Sequence, residues 1–171
     1  MENSEIKYHP DNDGIDHINV YSKAKTHLGK VLSNFAFAPF TTNEDGEFST
    51  LEGYWYYLQI DSSSIEREAL RSTNGYESKK LGRELRSLHP FFIERKEFER
   101  KILSAISKKL TQNRYILDLL IDSGDLPLAH YYAYGYGDKM KVVNTTGSEF
   151  MISFLEKTRS HFQNLRNNKG N

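Results

Sequence analysis

The sequence predicts a mostly helical α+β domain with a small β-sheet. Its 171 residues are enough for one domain with a buried core. Apolar residues recur at intervals of three and four over several long segments, which is typical of amphipathic helices. A few short runs alternate apolar and polar residues instead, as half-buried strands do. No apolar run approaches the length that spans a membrane.

The first half of the chain mixes loops with short extended pieces. Residues 1–15 are polar, contain Pro and Gly, and are expected to form an N-terminal arm. Residues 17–21 predict a strand, and the Ser-Asn-Phe step at residues 33–35 is expected in a loop. Residues 43–46, Asn-Glu-Asp-Gly, predict a turn between two extended pieces.

The second half is predicted to be mainly helical. Helical spacing and cap signals predict helices over residues 64–72, 74–88, 91–110, 114–122 and 148–165. The helix over residues 91–110 is expected to be the longest. Residues 126–134 and 139–143 are expected to be extended, and residues 167–171 to form a disordered tail.

Charge and residue usage exclude several functional classes. The 23 basic and 23 acidic residues cancel, so no global positive field attracts nucleic acid. There is no cysteine, and the six histidines lack metal-ligand spacing, so we expect no metal and no other cofactor. P-loop, G-x-G-x-x-G and G-x-S-x-G motifs are absent. The chain starts without a secretion leader, so a cytoplasmic protein away from the membrane is expected, its oligomeric state left open.

Glu52 stands out because it lies in an aromatic-rich run, residues 51–57. Thr50 is a predicted N-cap, which places Glu52 in the first turn of a helix that runs to about residue 60. Aromatic surroundings favour the neutral acid and a helix N-terminus favours the carboxylate, and the sequence leaves open which dominates. The run predicts a pocket for a base-plus-sugar ligand, with Trp55 on the same helix face as Glu52. In the simpler alternative, the Glu52 carboxylate only interacts favourably with the helix dipole and has no ligand.

A basic cluster lies on one predicted helix. Lys79, Lys80 and Arg83 belong to it, and residues 79 and 83, four apart, share a face that could hold a diphosphate. A solvated charged face is the common alternative for such a run. The functional interpretation needs support from elsewhere in the chain.

Two later segments carry further candidates. His130 and Tyr132 share one face of a predicted strand, although a lone histidine is more often structural than a ligand contact. Asn144 begins an Asn-Thr-Thr-Gly step before the closing helix. That step is either an ordinary N-cap or a set of free backbone N–H groups that could meet an anion.

Taken in order, these segments resemble the NADAR (YbiA-like) family. The Ser-Asn-Phe step at residues 33–35 and the run Phe-Ser-Thr-Leu-Glu-Gly-Tyr-Trp at residues 48–55 are similar to the family's Ser-Asn-Phe and Ser-Glu-His-Tyr-Phe motifs. Lys-Leu-Gly-Arg at residues 80–83 resembles its Gly-Arg step, and residues 144–147 resemble its Asn-Arg-Leu-Gly. The resemblance extends over most of the chain and implies a NADAR-like domain at residues 16–166.

The resemblance implies a YbiA-like α+β fold and N-glycosidase chemistry on ribose-phosphate N-glycosides. Family substrates include ADP-ribosylated guanine in nucleic acid and early riboflavin-pathway intermediates. Glu52 matches the family's catalytic glutamate, Asn34 and Phe35 match the wall beside the base, and Arg83 matches the Gly-Arg step.

The sequence also departs from the family pattern, in a way associated with bacteriophage members. Gly53 stands where the family has His, and the late Asp is missing, with only Tyr-Gly-Asp at residues 136–138 similar to the family's Tyr-Trp-Gly-Asp. His130 or Tyr132 could supply the proton or hydrogen bond to the leaving base instead. Two alternatives remain, a non-catalytic protein that sequesters an ADP-ribose-type nucleotide in phage counter-defence, and a structural adaptor.

Overall fold

The computed structural model describes residues 7–135 and 137–169. Tyr136, part of the predicted Tyr-Gly-Asp step, and the first six residues of the predicted arm lie outside that range. Within it the chain has six α-helices and six short strands, so the mostly helical α+β class is confirmed. In chain order they are β1 (Ile18–Asn19), α1 (His27–Leu32), β2 (Phe40–Thr42), β3 (Gly46–Phe48), α2 (Leu51–Tyr57), α3 (Gly75–Leu88), α4 (Arg95–Gln112), α5 (Arg114–Asp122), β4 (Leu128–Ala129), β5 (Tyr131–Tyr134), β6 (Lys141–Asn144) and α6 (Glu149–Lys169). Three 3-10 helices join them, Pro10–Asn12, Ile65–Arg71 and Gly137–Lys139.

The described chain divides into two compact units, with the boundary inside α5. One unit contains the chain up to residue 32 together with residues from 119 onward. In it β1 pairs in parallel with β4, and β5 pairs antiparallel with β6. Met151 and Leu155 of α6 are buried, and the Glu156 carboxylate of α6 accepts a hydrogen bond from the Leu128 N–H at 2.9 Å. The closing helix therefore supports the β4 strand.

The other unit, residues 33–118, holds β2, β3 and helices α2, α3 and α4. The β2–β3 hairpin confirms the predicted turn, whose Gly46 has a φ of +80°, a backbone region open to glycine. Phe40 and Phe48 of the hairpin stack in the core with a ring separation of 6.2 Å. Tyr54 of α2 packs edge-on against Phe40 and at a tilt against Phe48. This aromatic core anchors the helix that carries Glu52.

The structure changes several predicted boundaries. The expected small sheet is three separate two-stranded sheets within the described residues. The helix predicted over residues 64–72 is a 3-10 helix with the bounds Ile65–Arg71, and α4 begins at Arg95 instead of residue 91. The Phe91 N–H donates to the Gln59 carbonyl at 3.0 Å, which keeps the segment after Pro90 extended.

The closing helix also differs from its prediction. At 21 residues α6 is longer than α4, which was expected to be the longest helix. It continues to Lys169, so residues 167–169 of the expected tail are helical, while residues 170 and 171 lie outside the described range. The added turn buries no polar side chain, because Arg166, Asn167 and Asn168 are all exposed.

Candidate functional site

Glu52 occupies the first turn of α2, as the sequence predicts. The Thr50 hydroxyl accepts a hydrogen bond from the Gly53 N–H at 3.1 Å, which confirms Thr50 as the N-cap. Glu52 is only 8% exposed although it is an ionisable residue at a helix start, where side chains usually reach solvent. Such burial costs free energy unless a specific environment receives the carboxyl group.

Asn34 contacts Glu52 through both its backbone and its side chain. The Glu52 N–H, one of the N-terminal donors that have no partner within the helix, donates to the Asn34 carbonyl at 2.9 Å. The Asn34 side-chain amide also hydrogen-bonds the Glu52 carboxyl group. The pair therefore fixes the loop of residues 33–35 against the start of α2.

Two cations of α3 face the same carboxyl group. Burial raises the pKa of Glu52 from 4.5 to about 7, and Lys79, the Asn34 hydrogen bond and Arg83 act against it by favouring the carboxylate. Burial thus outweighs the three contributions that favour the carboxylate. Near neutral pH the protonated and ionised forms are both populated, which is the condition in which a carboxyl group can exchange protons with a ligand.

Phe35 forms an aromatic wall next to this group. Its ring packs edge-to-face on Tyr76 at 5.1 Å, and the Lys79 Nζ lies 5.6 Å from the ring centroid. Gly75 allows this packing, because a Cβ at that position would lie 2.5 Å from Phe35. Asn34, Phe35, Glu52, Lys79 and Arg83 are thus the predicted site residues that the structure brings together.

Gly53, where the run departs from the NADAR motif that it resembles, lies in tight packing. A Cβ there would lie 2.2 Å from the Leu70 carbonyl oxygen and 3.3 Å from the Ser78 hydroxyl. Real Cβ atoms do not approach a backbone atom so closely, so α2 can pack here only with glycine. The departure is therefore built into the packing of α2 against its neighbours.

The remaining aromatic residues of α2 have separate environments. Trp55 is half-buried and packs edge-on against Phe98 of α4 with a ring separation of 4.6 Å. Tyr54 is a core residue whose hydroxyl donates to Asp45 at 2.7 Å, and burial raises the pKa of its phenol. The pairing of Phe35 and Trp55 around a base stays a prediction. Lys80 of α3 is exposed next to Lys79.

His130, Tyr132 and Asn144 lie in the other compact unit. The His130 Nδ1 lies 2.6 Å from the Val20 carbonyl oxygen, so that nitrogen carries the proton, and burial lowers the pKa of the ring against this hydrogen bond. Its ring packs edge-on against Tyr132 at 5.5 Å. His130 and the exposed Asn144 both line a cavity of about 520 Å³ beside the start of α6. Their predicted roles toward a ligand stay predictions.

One buried polar residue outside the predicted site lies behind the loop of Asn34. Lys109 of α4 is 2% exposed, and its Nζ donates to the Ser33 carbonyl at 2.8 Å. Burial lowers the pKa of its amine to about 7. The sequence indicates that this lysine occupies a core position, because Lys109 follows Ile102, Ala105 and Ile106 at helical spacing on the apolar stripe.

Among residues 7–135 and 137–169, His, Asp and Glu side chains form no group of three that could hold a metal ion. Over the same residues, no helix has both the length and the apolar character that crossing a bilayer requires.

Comparison with known proteins identifies the fold of this chain. No family model matches the chain, and no curated protein matches it. The NMR structure of the E. coli protein YbiA is similar over 93% of this chain and 95% of its own, with a TM-score of 0.63 and 21% sequence identity. The protein therefore has a YbiA-like fold.

Proposed function

We propose that the protein is a divergent NADAR-type N-glycosidase, which cleaves the bond between base and ribose in an ADP-ribosyl or ribose-phosphate N-glycoside. ADP-ribosylated guanine is the example that we would test first. The observation that carries the proposal is the buried carboxyl group of Glu52, hydrogen-bonded by Asn34 and facing two cations. The YbiA-like fold supports it, because the motif that resembles the family's catalytic step falls on this group.

Glu52 would act on the sugar. Cleavage of an N-glycoside passes through a state in which the anomeric carbon resembles an oxocarbenium ion, and a carboxylate beside the ribose stabilises that charge or orients the attacking water. The ionised fraction of Glu52 near neutral pH supplies the carboxylate. Asn34 holds this group in one orientation, which limits the reorganisation that the reaction needs.

The leaving base requires a hydrogen-bond donor. His130 and Tyr132 are the residues that we propose for it. Because the His130 Nδ1 donates to the Val20 carbonyl, the neutral ring offers only an acceptor at Nε2, and the ring donates from that nitrogen only when it is protonated. A tyrosine hydroxyl, such as that of Tyr132, is a hydrogen-bond donor in its neutral form.

The cationic face of α3 would bind the phosphates. Lys79 and Arg83 both act electrostatically on Glu52, so an anion bound to them would lie close to the carboxyl group. Lys80 adds a third charge on the exposed side of the helix. A pyrophosphate placed there would orient the attached ribose toward Glu52. Phe35 would stack on the base, with Trp55 as its proposed counterpart.

A non-catalytic sequestering protein is the second candidate. It is favoured by Gly53, which excludes the family's histidine, and by the missing late Asp. In this alternative the same pocket binds an ADP-ribose derivative and returns it intact, as a counter-defence protein of a bacteriophage would. In both cases we place the protein in the cytoplasm, that of the host if a phage encodes it.

The experiment is mass spectrometry of ligands after incubation with the protein. ADP-ribosylated guanosine, ADP-ribosylated DNA, ADP-ribose and cyclic ADP-ribose variants are each incubated with the wild type and with Glu52→Gln. Release of free base or of ADP-ribose by the wild type alone supports the glycosidase. Recovery of intact ligand after heating, from a tight complex of either protein, supports sequestration instead. If no nucleotide raises the melting temperature, both candidates fail and a structural adaptor remains.

A further inference from the structure

We infer that Lys109 is a positioning residue for Glu52, because it holds the Ser33 carbonyl and so fixes the loop that presents Asn34 to the carboxyl group. Its importance for turnover rests on the proposed function, whereas its effect on Glu52 does not. Lys109 itself does not touch a substrate in this account. It acts through two intervening residues.

A lysine at this place in α4 needs an explanation. The stripe on which it lies is otherwise apolar, and Ile102, Ala105, Ile106 and Leu110 are all buried beside it. Burying an amine costs free energy that an apolar side chain would not cost, and burial lowers the pKa of Lys109 to about 7. The Nζ reaches the Ser33 carbonyl at 2.8 Å, so the long side chain delivers a donor through the core to the loop.

The end of α4 holds the segment of residues 33–41 at three places. Besides the Lys109 contact, the Asn113 Nδ2 donates to the Pro39 carbonyl at 2.8 Å. Gln112 hydrogen-bonds both the N–H and the carbonyl of Thr41, at 2.8 and 3.1 Å. Lys109 is the one of these three whose partner is next to Asn34 in sequence. Asn113 therefore offers a matched control that anchors the same segment five residues beyond Asn34.

The path from Lys109 to the carboxyl group is short. Ser33 is followed directly by Asn34, whose carbonyl accepts the Glu52 N–H at 2.9 Å and whose amide hydrogen-bonds the Glu52 side chain. Asn34 lowers the pKa of Glu52 against the effect of burial. If the loop loses its anchor at Ser33, this hydrogen bond weakens and the Glu52 proton is held more tightly.

The experiment is a double-mutant cycle read out on Glu52. The carboxyl pKa of Glu52 is measured by NMR of carbon-13-labelled glutamate in the wild type, Lys109→Met, Asn34→Ala and the double variant, with no ligand present. We expect Lys109→Met and Asn34→Ala each to raise this pKa by about one pH unit, and the double variant to match Asn34→Ala alone. Asn113→Leu should leave the Glu52 pKa unchanged.

The cycle separates positioning from a direct charge effect. If Lys109→Met shifts the Glu52 pKa as much in the Asn34→Ala background as in the wild type, the lysine acts by its own charge and the inference is wrong. An unchanged Glu52 pKa in Lys109→Met overturns it as well. Should Lys109→Met not fold, Lys109→Arg keeps a long donor. It supports the inference if the Glu52 pKa stays at the wild-type value, and a shift that persists at full size in the Asn34→Ala background contradicts it.

Turnover provides the second readout. With ADP-ribosylated guanosine, Lys109→Met should lower kcat by at least ~10-fold at nearly unchanged KM, because orientation of the carboxyl group changes and the phosphate contacts do not. Asn113→Leu should keep wild-type kcat. A protein that shows the NMR coupling and yet no turnover retains the positioning role and refutes the proposed function, so the two failures are distinguishable.

Discussion

The substitution Glu52→Gln should make the protein more stable at high pH and not at low pH. The folded protein holds the Glu52 proton more tightly than the unfolded chain does, because burial raises the pKa from 4.5 to about 7. The free energy of unfolding of the wild type therefore falls as the pH rises from about 4.5 to about 7, through this one group. Glutamine keeps the shape and an oxygen that accepts from Asn34, but it has no proton to lose.

The size of the effect follows from the pKa. The interval between 4.5 and about 7, at about 1.4 kcal/mol for each pH unit, corresponds to about 3 kcal/mol. Glu52→Gln should thus gain up to about 3 kcal/mol over the wild type above pH 8, and close to nothing below pH 4.5. The gain is stability that the natural residue forgoes by keeping a carboxyl group at this buried position.

Urea denaturation across the pH range measures this difference. The free energy of unfolding of the wild type is subtracted from that of the variant at each pH. This subtraction cancels the contribution of every other titrating group, including Lys109, because both proteins share them. Glu47→Gln, an exposed carboxylate of β3, is the matched control for loss of one negative charge. A difference between Glu52→Gln and the wild type that does not change with pH would refute the electrostatic account of the site. So would a difference that grows toward low pH.

Three further predictions test the surroundings of the site. Gly53→Ala should destabilise the protein by ~1–3 kcal/mol in denaturant titration, because its Cβ would meet the Leu70 carbonyl at 2.2 Å, and an unchanged midpoint would contradict that packing. Thr50→Ala should cost about 1 kcal/mol through loss of the N-cap, whereas Thr50→Ser, which keeps the hydroxyl, should restore most of it in the same assay. The stability of Lys109→Met relative to the wild type should fall as the pH rises from 7 to 10. Because the pKa of Lys109 is lowered by burial, only the wild type gains stability over that pH range. A difference in melting temperature that stays constant with pH would contradict the lowered pKa.

Local signals predicted the elements that local chemistry determines. The Thr50 N-cap, the turn ending in Gly46 and the bounds of α5 at residues 114 and 122 all agree with the structure. Each depends on residues within a few positions, a cap hydroxyl, a glycine at positive φ or a short apolar stripe. The start of α4 was predicted too early because Phe91 is held extended by Gln59, a contact more than thirty positions away that no local pattern contains.

The site was predictable in its residues and not in its arrangement. The motif order pointed to Asn34, Glu52 and Arg83, and the structure adds that Asn34 contacts Glu52 through backbone and side chain together. The raised pKa of Glu52 could not be predicted, because burial and the helix terminus act in opposite directions and only the packing sets their sizes. Lys109 was not predicted, because the role of a lysine on an apolar stripe can be inferred only when its hydrogen-bond partner is known, here the Ser33 carbonyl.

The most direct test is the single-turnover rate at which ADP-ribose and guanosine form from ADP-ribosylated guanosine, with the enzyme in excess. We predict that the wild type hydrolyses the bond between ADP-ribose and guanine and that Glu52→Gln does so at least ~10² times more slowly with an unchanged dissociation constant, while Glu47→Gln retains the wild-type rate. Equal rates of ADP-ribose release by the wild type and Glu52→Gln would contradict the proposal that this buried carboxyl group performs the chemistry.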